Sequence, residues 1–209
     1  KHPINAAYAV KTKSPHVMLS GAGAEEFAKE QGLEMVEDNM YFATPKTMEW
    51  IEKLKQESKK NGTVGCVVLD KQGNLTAGTS TGGMFKKRWG RIGDSPVIGA
   101  GTYADNNSCA VSCTGHGEYF IRHAVAFDVC ARYKYLKESV EKAADYIIHT
   151  ELNTNAGNGG LIAVDKLGNI AMPYNSGGMF RGFLYKEKGS PEIKKGCGIG
   201  KKIVVVGEK

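Results

Sequence analysis

The spacing of apolar residues predicts helices in the first part of the chain. Trp50, Ile51 and Leu54 recur at the spacing of one face of an α-helix. Thr44 and Pro45 are typical of an N-cap and of the first position of a helix. The pattern predicts helices at residues 4–13, 22–31 and 45–60, ending in a polar linker at 58–62.

After residue 62 the pattern changes to short apolar runs rich in β-branched residues, which are typical of strands. A turn at 72–74 separates the first two runs and predicts a β-hairpin. Further along, a long stretch with a wide apolar face favours a buried helix. The predicted strands are 64–70, 75–81, 96–101 and 108–113, and the predicted helices are 118–136 and 137–152.

An internal repeat links two parts of the chain. The pattern Asp-x-x-Gly-Asn at 70–74 recurs at 165–169, and Gly-Gly-Met-Phe at 82–85 recurs at 177–180. One duplication is too few for a solenoid, so the repeat predicts a second hairpin within 161–182 of one layered domain. Hairpins flanked by helices favour an α+β fold with sheets packed between helical layers.

Composition agrees with a single domain over residues 1–209 and excludes some functions. The 27 glycines exceed the average of roughly 7% and suggest a site built on tight turns. No run approaches the roughly 18 apolar residues of a membrane helix. The net charge of +6 could indicate nucleic-acid binding. The lysines are mixed with glutamates, however, so we interpret them as a solvated helix surface and expect no nucleic-acid or membrane partner.

The five cysteines indicate thiols rather than disulfides. Their number is odd, none belongs to a C-x-x-C pair, and no zinc spacing is present. We expect them to be reduced and packed in the interior, which favours a reducing compartment such as the cytoplasm. A signal peptide preceding Lys1 would change that localisation.

The junction Gly62-Thr63-Val64-Gly65 joins the polar linker to a buried strand. A threonine hydroxyl needs a base to become a nucleophile, and its own α-amino group can serve once the preceding peptide bond is cut. A free α-amino group has a pKa of about 7.7–8.0, so much of it is neutral near physiological pH. Thr63 can act in this way only if the Gly62–Thr63 bond breaks. The alternative is an ordinary turn before an ordinary strand.

Two further segments could assist such a nucleophile. Hairpin pairing brings Thr81 beside Thr63, where its hydroxyl could orient the Thr63 hydroxyl. In the loop 90–96, Arg91 could bind a carboxylate and Asp94 an ammonium group, as recognition of an amino acid requires. The alternatives are a hydroxyl-rich turn and an internal Arg91–Asp94 salt bridge.

Residues 113–118 lie between a predicted strand and a predicted helix, whose N-terminus favours negative charge. The Thr114 hydroxyl and the Gly115 N–H could form an oxyanion hole. His116 and Glu118 could suggest a metal site, but their spacing is not that of a helical zinc motif and no third ligand is apparent. No metal is therefore predicted, and we interpret His116 as a loop residue at the rim.

In this order and at these spacings, the segments closely resemble the plant-type asparaginase family. That family includes isoaspartyl peptidases and has glycosylasparaginase as a cousin. The resemblance continues upstream and into the second hairpin, and it covers most of the chain as far as about residue 186. The residues that carry it are 63–65, 79–83, 90–96, 99–106 and 114–118, with 14–17 upstream.

The resemblance implies the four-layer αββα sandwich of N-terminal nucleophile hydrolases. It implies autocleavage between Gly62 and Thr63 into an α-subunit (1–62) and a β-subunit (63–209). Thr63 would then attack the side-chain amide of asparagine or the β-aspartyl bond of an isoaspartyl dipeptide, releasing aspartate. A homodimer of αβ units is expected by the same analogy.

The resemblance also implies a role for each matching residue. Thr81 supports the nucleophile, and Thr114 and Gly115 stabilise the oxyanion. Arg91 binds the α-carboxylate of the substrate, and Asp94 and the Gly117 carbonyl bind its α-ammonium.

Two departures from the family bear on this interpretation. The family's α-subunit has an N-terminal portion with the first core strand, a sodium-binding loop and an asparagine near the reaction centre, without counterpart in these residues. A fragment or truncated relative is therefore expected, with no cofactor beyond that structural sodium ion. Gly82-Gly83, where glycosylasparaginases tend to carry asparagine, favours the asparaginase and isoaspartyl peptidase branch. The alternatives are glycosylasparaginase activity and an inactive relative that only binds aspartate-like ligands.

Overall fold

The structure is a computed structural model that describes residues 1–45, 48–49, 62–186, 193–198 and 204–207. The chain divides into two units, one made of Lys1–Asn61 with Met84–Lys87 and the other of Gly62–Gly83 with Arg88–Lys209. Over the described ranges, no helix combines the length and the apolar character needed to cross a membrane.

Helices form most of the described part of the first unit, close to the predicted positions. Proline suits the first turn of a helix because the N–H that it lacks would have no partner there. Lys11 and Lys13 occupy the last turn of the first helix, where positive charge is favourable. The elements are α1 (Pro3–Lys13), α2 (Gly21–Glu30) and a 3-10 turn (Asn39–Phe42).

Most of the helix predicted at 45–60 lies outside the described residues. Pro45, Met48 and Glu49 are described, and all three are helical. The Met48 N–H donates a hydrogen bond to the Thr44 carbonyl at 2.9 Å, which is the i to i−4 bond of an α-helix.

Antiparallel strands and short helices form the second unit, so the predicted mixture of helix and sheet is confirmed. The first sheet contains β1 (Thr63–Leu69) and β2 (Leu75–Thr81). The second contains β3 (Thr102–Ala104), β4 (Cys109–Gly115), β5 (Gly159–Asp165) and β6 (Ile170–Ala171), paired in that order. The third contains β7 (Arg181–Lys186), β8 (Ile193–Gly198) and β9 (Val204–Gly207).

The helices are α3 (Gly117–Arg122), α4 (Val125–Ala131), α5 (Val140–Tyr146) and α6 (Leu152–Thr154), with π-helical turns at Arg132–Leu136 and Ile147–Glu151.

The two turns of the internal repeat contain the same hydrogen bonds. In the first turn, one Asp70 carboxylate oxygen accepts the Gln72 and Asn74 N–H groups, and the other accepts the Asn74 amide. Asp165 accepts the corresponding groups in the second turn. Gly73 and Gly168 both have φ near +90°, a backbone conformation that favours glycine. The second return strand, β6, is short because Pro173 follows and lacks a backbone N–H.

The second sheet lies between the hairpin and the helices. Alternate residues of a strand point to opposite faces. Cys109, Val111 and Cys113 of β4 therefore pack with the helices, whereas Ala110 packs with Leu75 and other apolar residues of the hairpin. Phe120, Ile147 and Leu161 are fully buried on the helical side, and burial of such a side chain contributes roughly 1.5–3 kcal/mol.

The strand predicted at 96–101 is wrong. These residues form turns, and the Asp94 carbonyl accepts the N–H groups of both Val97 and Gly101. Gly101 lies so close to Asp94 that a Cβ there would be 2.5 Å from the Asp94 carbonyl carbon. The strand begins only at Thr102, which pairs with Ser112.

The long helices predicted at 118–136 and 137–152 are broken into shorter pieces. Ala124 (φ 46°) and Lys137 (φ 58°) adopt left-handed backbone conformations, which end a right-handed helix. The helical turns that follow Ala131 and Tyr146 are π-helical. The apolar spacing was correctly interpreted as helical, but it contained no signal for these breaks.

Candidate active site

Thr63 begins β1 and lies directly across from Thr81, the last residue of β2. The Thr81 hydroxyl donates a hydrogen bond to the Gly62 carbonyl at 2.8 Å and accepts the Gly83 N–H at 2.9 Å. The sequence predicted that the Thr81 hydroxyl could orient the Thr63 hydroxyl, and that role stays a prediction. The observed hydrogen bond goes to the carbonyl of the Gly62–Thr63 peptide, the bond that was predicted to be cut.

The hairpin packs on the second sheet with Gly65 over Ser112. A Cβ on Gly65 would be 2.2 Å from the Ser112 Oγ. At the far end of the hairpin, Val67 and Leu69 pack against a buried cluster that includes Ala110. Thr63 is the next residue after Gly65 on the same face of β1, and Thr114 is the next residue after Ser112 on the same face of β4.

The hydroxyl groups of Thr79 and Ser112 form a hydrogen bond between the first and the second sheet. The Thr79 and Ser112 oxygens are 2.7 Å apart, and Thr79 also donates to the Gly101 carbonyl at 3.1 Å. Ser112 is almost fully buried. A buried hydroxyl needs such partners, because leaving it unpaired costs about 1–3 kcal/mol.

Gly115 ends β4, and its N–H lies on the side of that strand away from β5. The Cys113 N–H donates to the Gly101 carbonyl at 2.8 Å on that side of β4. Strand geometry directs the Gly115 N–H to the same side, two residues further on. The next N–H, that of His116, points the other way and donates to the Asn158 carbonyl. The Gly115 N–H is therefore directed away from β5, beyond the last pair of β3 and β4.

Arg91, Asp94 and Gly117 are brought together at the start of α3. A Cβ on Gly117 would lie 2.8 Å from the Asp94 Oδ1 and 3.0 Å from the Arg91 Nη2. Only glycine leaves room for the loop to approach the helix this closely. The two charged groups that the sequence singled out are thus neighbours, and α3 begins beside them.

Arg91 is held by Glu118, a contact that sequence reasoning missed. Its Nε and Nη2 donate to the two carboxylate oxygens of Glu118 at 2.9 and 2.7 Å. This bidentate pair lowers the pKa of Glu118 to about 2 and raises the pKa of Arg91. The Arg91–Asp94 salt bridge considered as an alternative is thus not the pair that forms. The only signal in the sequence was an acidic residue in the first turn of the helix.

Asp94 is a buried carboxylate with one oxygen available. It is 6% exposed, and within the described part of the chain its Oδ2 has no hydrogen-bond partner. Burial raises the pKa of Asp94, although the nearby Arg91 acts to lower it. A buried acceptor without a partner is costly, so a cation that reached Asp94 would be bound favourably.

Other features of the described residues do not add to this site. They contain no group of three or more His, Cys, Asp or Glu side chains arranged to hold a metal ion. His116 contacts Tyr119 edge to face and lies 3.5 Å from Glu118. A cavity of about 700 Å³ opens on the third sheet, away from the predicted site residues, and is lined by Phe180, Arg181, Gly182, Cys197 and Gly198.

Comparison with known proteins identifies the family of this chain. A family model described as asparaginase matches residues 1–193. The chain belongs to the asparaginase family. The predicted resemblance is therefore confirmed, and it extends over most of the chain.

Relatives of this asparaginase-family chain occur in bacteria, plants and animals. The isoaspartyl peptidase of Salmonella typhimurium is 46% identical over 199 residues, which cover 88% of this chain and 63% of that protein. The isoaspartyl peptidase of Escherichia coli is 42% identical, covering 90% and 66%. The isoaspartyl peptidase/L-asparaginase of Homo sapiens is 39% identical, covering 85% and 60%. The chain thus spans less than two thirds of the length of the relatives it matches.

Proposed function

We propose that this asparaginase-family protein is a self-processing threonine amidohydrolase that cleaves L-asparagine and β-aspartyl dipeptides to release L-aspartate. The relatives named isoaspartyl peptidase and isoaspartyl peptidase/L-asparaginase support this substrate class. The observation that carries the proposal is the hydrogen bond from the Thr81 hydroxyl to the Gly62 carbonyl at 2.8 Å. It places a donor on the carbonyl that the Thr63 hydroxyl must attack.

In the first reaction, Thr63 releases its own α-amino group. Its hydroxyl attacks the Gly62 carbonyl carbon, the hydroxyl proton passes to the Thr63 nitrogen, and the bond between that nitrogen and the Gly62 carbonyl carbon breaks. An ester between Gly62 and the Thr63 side chain remains. Water hydrolyses that ester to a Gly62 carboxylate and a free Thr63. The Thr81 hydroxyl stabilises the negative charge that develops on the Gly62 oxygen. The products are an α-subunit (1–62) and a β-subunit (63–209).

In the second reaction, the free Thr63 hydrolyses a substrate amide. Its α-amino group accepts the hydroxyl proton as the oxygen attacks the amide carbon. The proton passes to the leaving nitrogen, which departs as ammonia from asparagine or as the amino group of the second amino acid of the dipeptide, and an aspartyl ester remains. Water then releases aspartate. The Thr114 hydroxyl and the Gly115 N–H are the donors that we assign to the oxyanion, both when this aspartyl ester forms and when water hydrolyses it.

Arg91, Asp94 and Gly117 are the groups that we assign to the amino-acid end of the substrate. Glu118 occupies the Nε and Nη2 side of the Arg91 guanidinium, so the Nη1 side remains for the substrate α-carboxylate. The buried Asp94 Oδ2 would accept the α-ammonium, together with the Gly117 carbonyl. This ammonium would supply the partner that the Asp94 carboxylate lacks.

Intact-mass spectrometry tests the self-processing step. The wild-type protein should give two species, the second beginning at Thr63, and Thr63→Ala should stay uncut and inactive. Thr76→Ala, an exposed threonine on the neighbouring strand, is the matched control and should be processed normally. A Thr63→Ala variant that is still cut between residues 62 and 63 would disprove the mechanism.

A substrate panel then separates the alternatives. The processed protein is incubated separately with asparagine, a β-aspartyl dipeptide and a glycosylated asparagine. Release of aspartate from the first two supports the proposal, and preference for the third identifies a glycosylasparaginase. Binding of aspartate without hydrolysis of any of them identifies an inactive relative.

We also propose the four-layer αββα arrangement and a homodimer of αβ units. Two observations support the layered arrangement. The second sheet packs on the hairpin through one face and on helices through the other, and Val64 and Val68 are exposed on the outer side of the hairpin. A second helical layer would cover that outer side. The structural sodium ion that the resemblance implies stays a prediction.

A further inference from the structure

Asn175 forms two hydrogen bonds with Gly159, the first residue of β5. Its side-chain oxygen accepts the Gly159 N–H at 2.8 Å, and its own backbone N–H donates to the Gly159 carbonyl at 2.9 Å. Both backbone groups of Gly159 are thus bonded to one residue. In the internal repeat, these positions correspond to Val64 and Ser80, which pair in the first hairpin.

The Asn175 side chain is itself anchored. Its amide nitrogen lies 2.6 Å from the Asn153 Oδ1, 3.0 Å from the Gly157 carbonyl and 3.2 Å from the Ile148 carbonyl. Ile148 is fully buried in the helical layer. Asn175 therefore ties the beginning of β5 to the end of the preceding helices, and a group held from several sides has little freedom to move.

Gly159 transmits this position to Gly115 by direct backbone contact. The two residues are paired across β4 and β5. A Cβ on Gly159 would lie 2.2 Å from the Thr114 carbonyl oxygen and 2.8 Å from the Gly115 Cα. A Cβ on Gly115 would lie 2.4 Å from the Asn158 carbonyl oxygen. A shift of Gly159 would therefore be passed to Thr114 and Gly115, because no space separates the two strands.

We propose that Asn175 is a positioning residue that sets the location of the Thr114 and Gly115 oxyanion donors through Gly159. The inference rests on the proposed function, since it concerns the groups that stabilise the transition state there. Small displacements of such donors have large effects on rate, because the donors must match the position of the developing charge. Asn175 contacts neither the substrate groups nor Thr63 in this assignment, so it acts only through the backbone.

Kinetics of Asn175→Ala separate positioning from binding. We expect kcat for a β-aspartyl dipeptide to fall at least tenfold and KM to change less than twofold, because only a transition-state interaction is weakened. Asn155→Ala is the matched control, since its amide bonds the Glu151 carbonyl at the same helix end without contacting Asn175. An unchanged kcat, or an increase in KM that accounts for the whole effect, would overturn the inference.

A second variant covers the case in which Asn175→Ala does not fold. Asn175→Asp keeps the acceptor for Gly159, but its ionised carboxylate faces the oxygens of Asn153, Gly157 and Ile148. Its kcat relative to the wild type should rise as the pH falls toward about 4, where a carboxyl group becomes protonated and can donate. A ratio that does not depend on pH would count against the inference.

Nuclear magnetic resonance tests the positioning without any activity. In the uncut Thr63→Ala background, the Asn175 substitutions should shift the amide resonances of Gly115 and Gly159 and leave that of the distant Gly73 unchanged. Wild-type protein that hydrolyses no substrate, with these shifts present, would refute the proposed function and keep the positioning. Active wild-type protein with unshifted Gly115 would refute the positioning alone.

Discussion

Glu118 limits which hydrogen-bond donors of Arg91 are available to a ligand. By occupying two donors of Arg91, it fixes the orientation of the guanidinium and leaves one side of it for a ligand. The arginine and the carboxylate are 18% and 38% exposed, so the pair lies at the edge of the site rather than in its core.

We expect Glu118→Gln to raise KM for asparagine more than it lowers kcat. A glutamine keeps the size of the side chain but loses the charge that holds Arg91, so the substrate carboxylate must order the arginine itself. An increase of roughly tenfold in KM corresponds to about 1.4 kcal/mol of binding free energy. Steady-state kinetics at one pH measure it, and a KM equal to that of the wild type would remove Glu118 from the clamp.

The same pair predicts a pH dependence of stability. Arg91 lowers the pKa of Glu118 from its usual 4.5 to about 2 in the folded protein. The unfolded state therefore binds the proton more readily, and the pair stabilises the fold above about pH 4.5. This contribution is lost as the pH falls toward 2.

Urea denaturation of the wild type and Glu118→Gln over a pH series checks this expectation. The difference in unfolding free energy should be constant near neutral pH and should shrink between about pH 4.5 and 2. A difference that persists at the acidic end would show that the carboxylate charge is not its source.

Gly115 is a position where a single methyl group should be harmful. A Cβ would lie 2.4 Å from the Asn158 carbonyl oxygen, and the φ of 149° is one that other residues rarely adopt. Gly115→Ala should cost roughly 1–3 kcal/mol of stability, as overpacking does, and should displace the N–H that we propose as an oxyanion donor. Thermal unfolding and kcat measure the two effects. Gly177→Ala, with no atom within 4 Å of the added methyl group, should change neither.

Among single residues, those with local signals could be predicted from the sequence. Arg91 and Asp94 share one loop and lie together as expected, because few residues separate them. Glu118 and Asn175 could not be assigned, because their partners are distant in the chain and no local pattern names them. The predicted catalytic and binding roles themselves stay predictions.

At the scale of elements, the two repeated turns have the same hydrogen bonds but different surroundings. Asp70 is exposed, whereas Asp165 is 1% exposed. Water can replace the Asp70 carboxylate as a partner of the turn N–H groups. It does so less easily at Asp165, because the hydrogen bonds from that carboxylate to the turn N–H groups are partly buried.

We therefore expect Asp165→Ala to destabilise the protein more than Asp70→Ala, by roughly 1–3 kcal/mol. Each variant is the control for the other, because the same carboxylate contacts are removed in both turns. Chemical denaturation of the two variants gives the difference directly. Equal losses of stability would mean that burial of the turn has no energetic effect.

The pattern of apolar residues predicted where strands and helices lie but not where the helices are broken. The hairpin at Thr63–Thr81 was predicted well, since alternation and a turn signal are both local. The helical segments were recognised, but the left-handed Ala124 and Lys137 were not. Neither residue type favours that conformation, so it is imposed by packing of the short helices on the sheet.

At the scale of the whole molecule, burial divides the five cysteines into two groups. Cys109, Cys113 and Cys130 are buried between the second sheet and the helices, and the Cys109 and Cys130 sulfurs are in contact at 2.7 Å. Cys66 and Cys197 are exposed. The expectation that all five would be packed was therefore wrong for two of them.

Thiol titration with an aromatic disulfide reagent should follow this division. The native protein should react rapidly at Cys66 and Cys197, and the other three should react only in denaturant. Burial raises the pKa of Cys113 well above its usual value, which lowers its thiolate fraction and its reactivity. Rapid reaction of all five thiols in native protein would contradict the packed core. Cys66→Ser should remove one fast equivalent and serves as the control.

The sequence by itself determined the family, the hairpin that begins at Thr63 and the order of the polar segments along the chain. These depend on residue type and on neighbours a few positions away, which is the information that a linear pattern contains. The tertiary structure decided which groups meet: Thr81 with the Gly62 carbonyl, Arg91 with Glu118, and Asn175 with Gly159. Those contacts depend on strand register and on the packing of layers, where a displacement of one residue would exchange every partner.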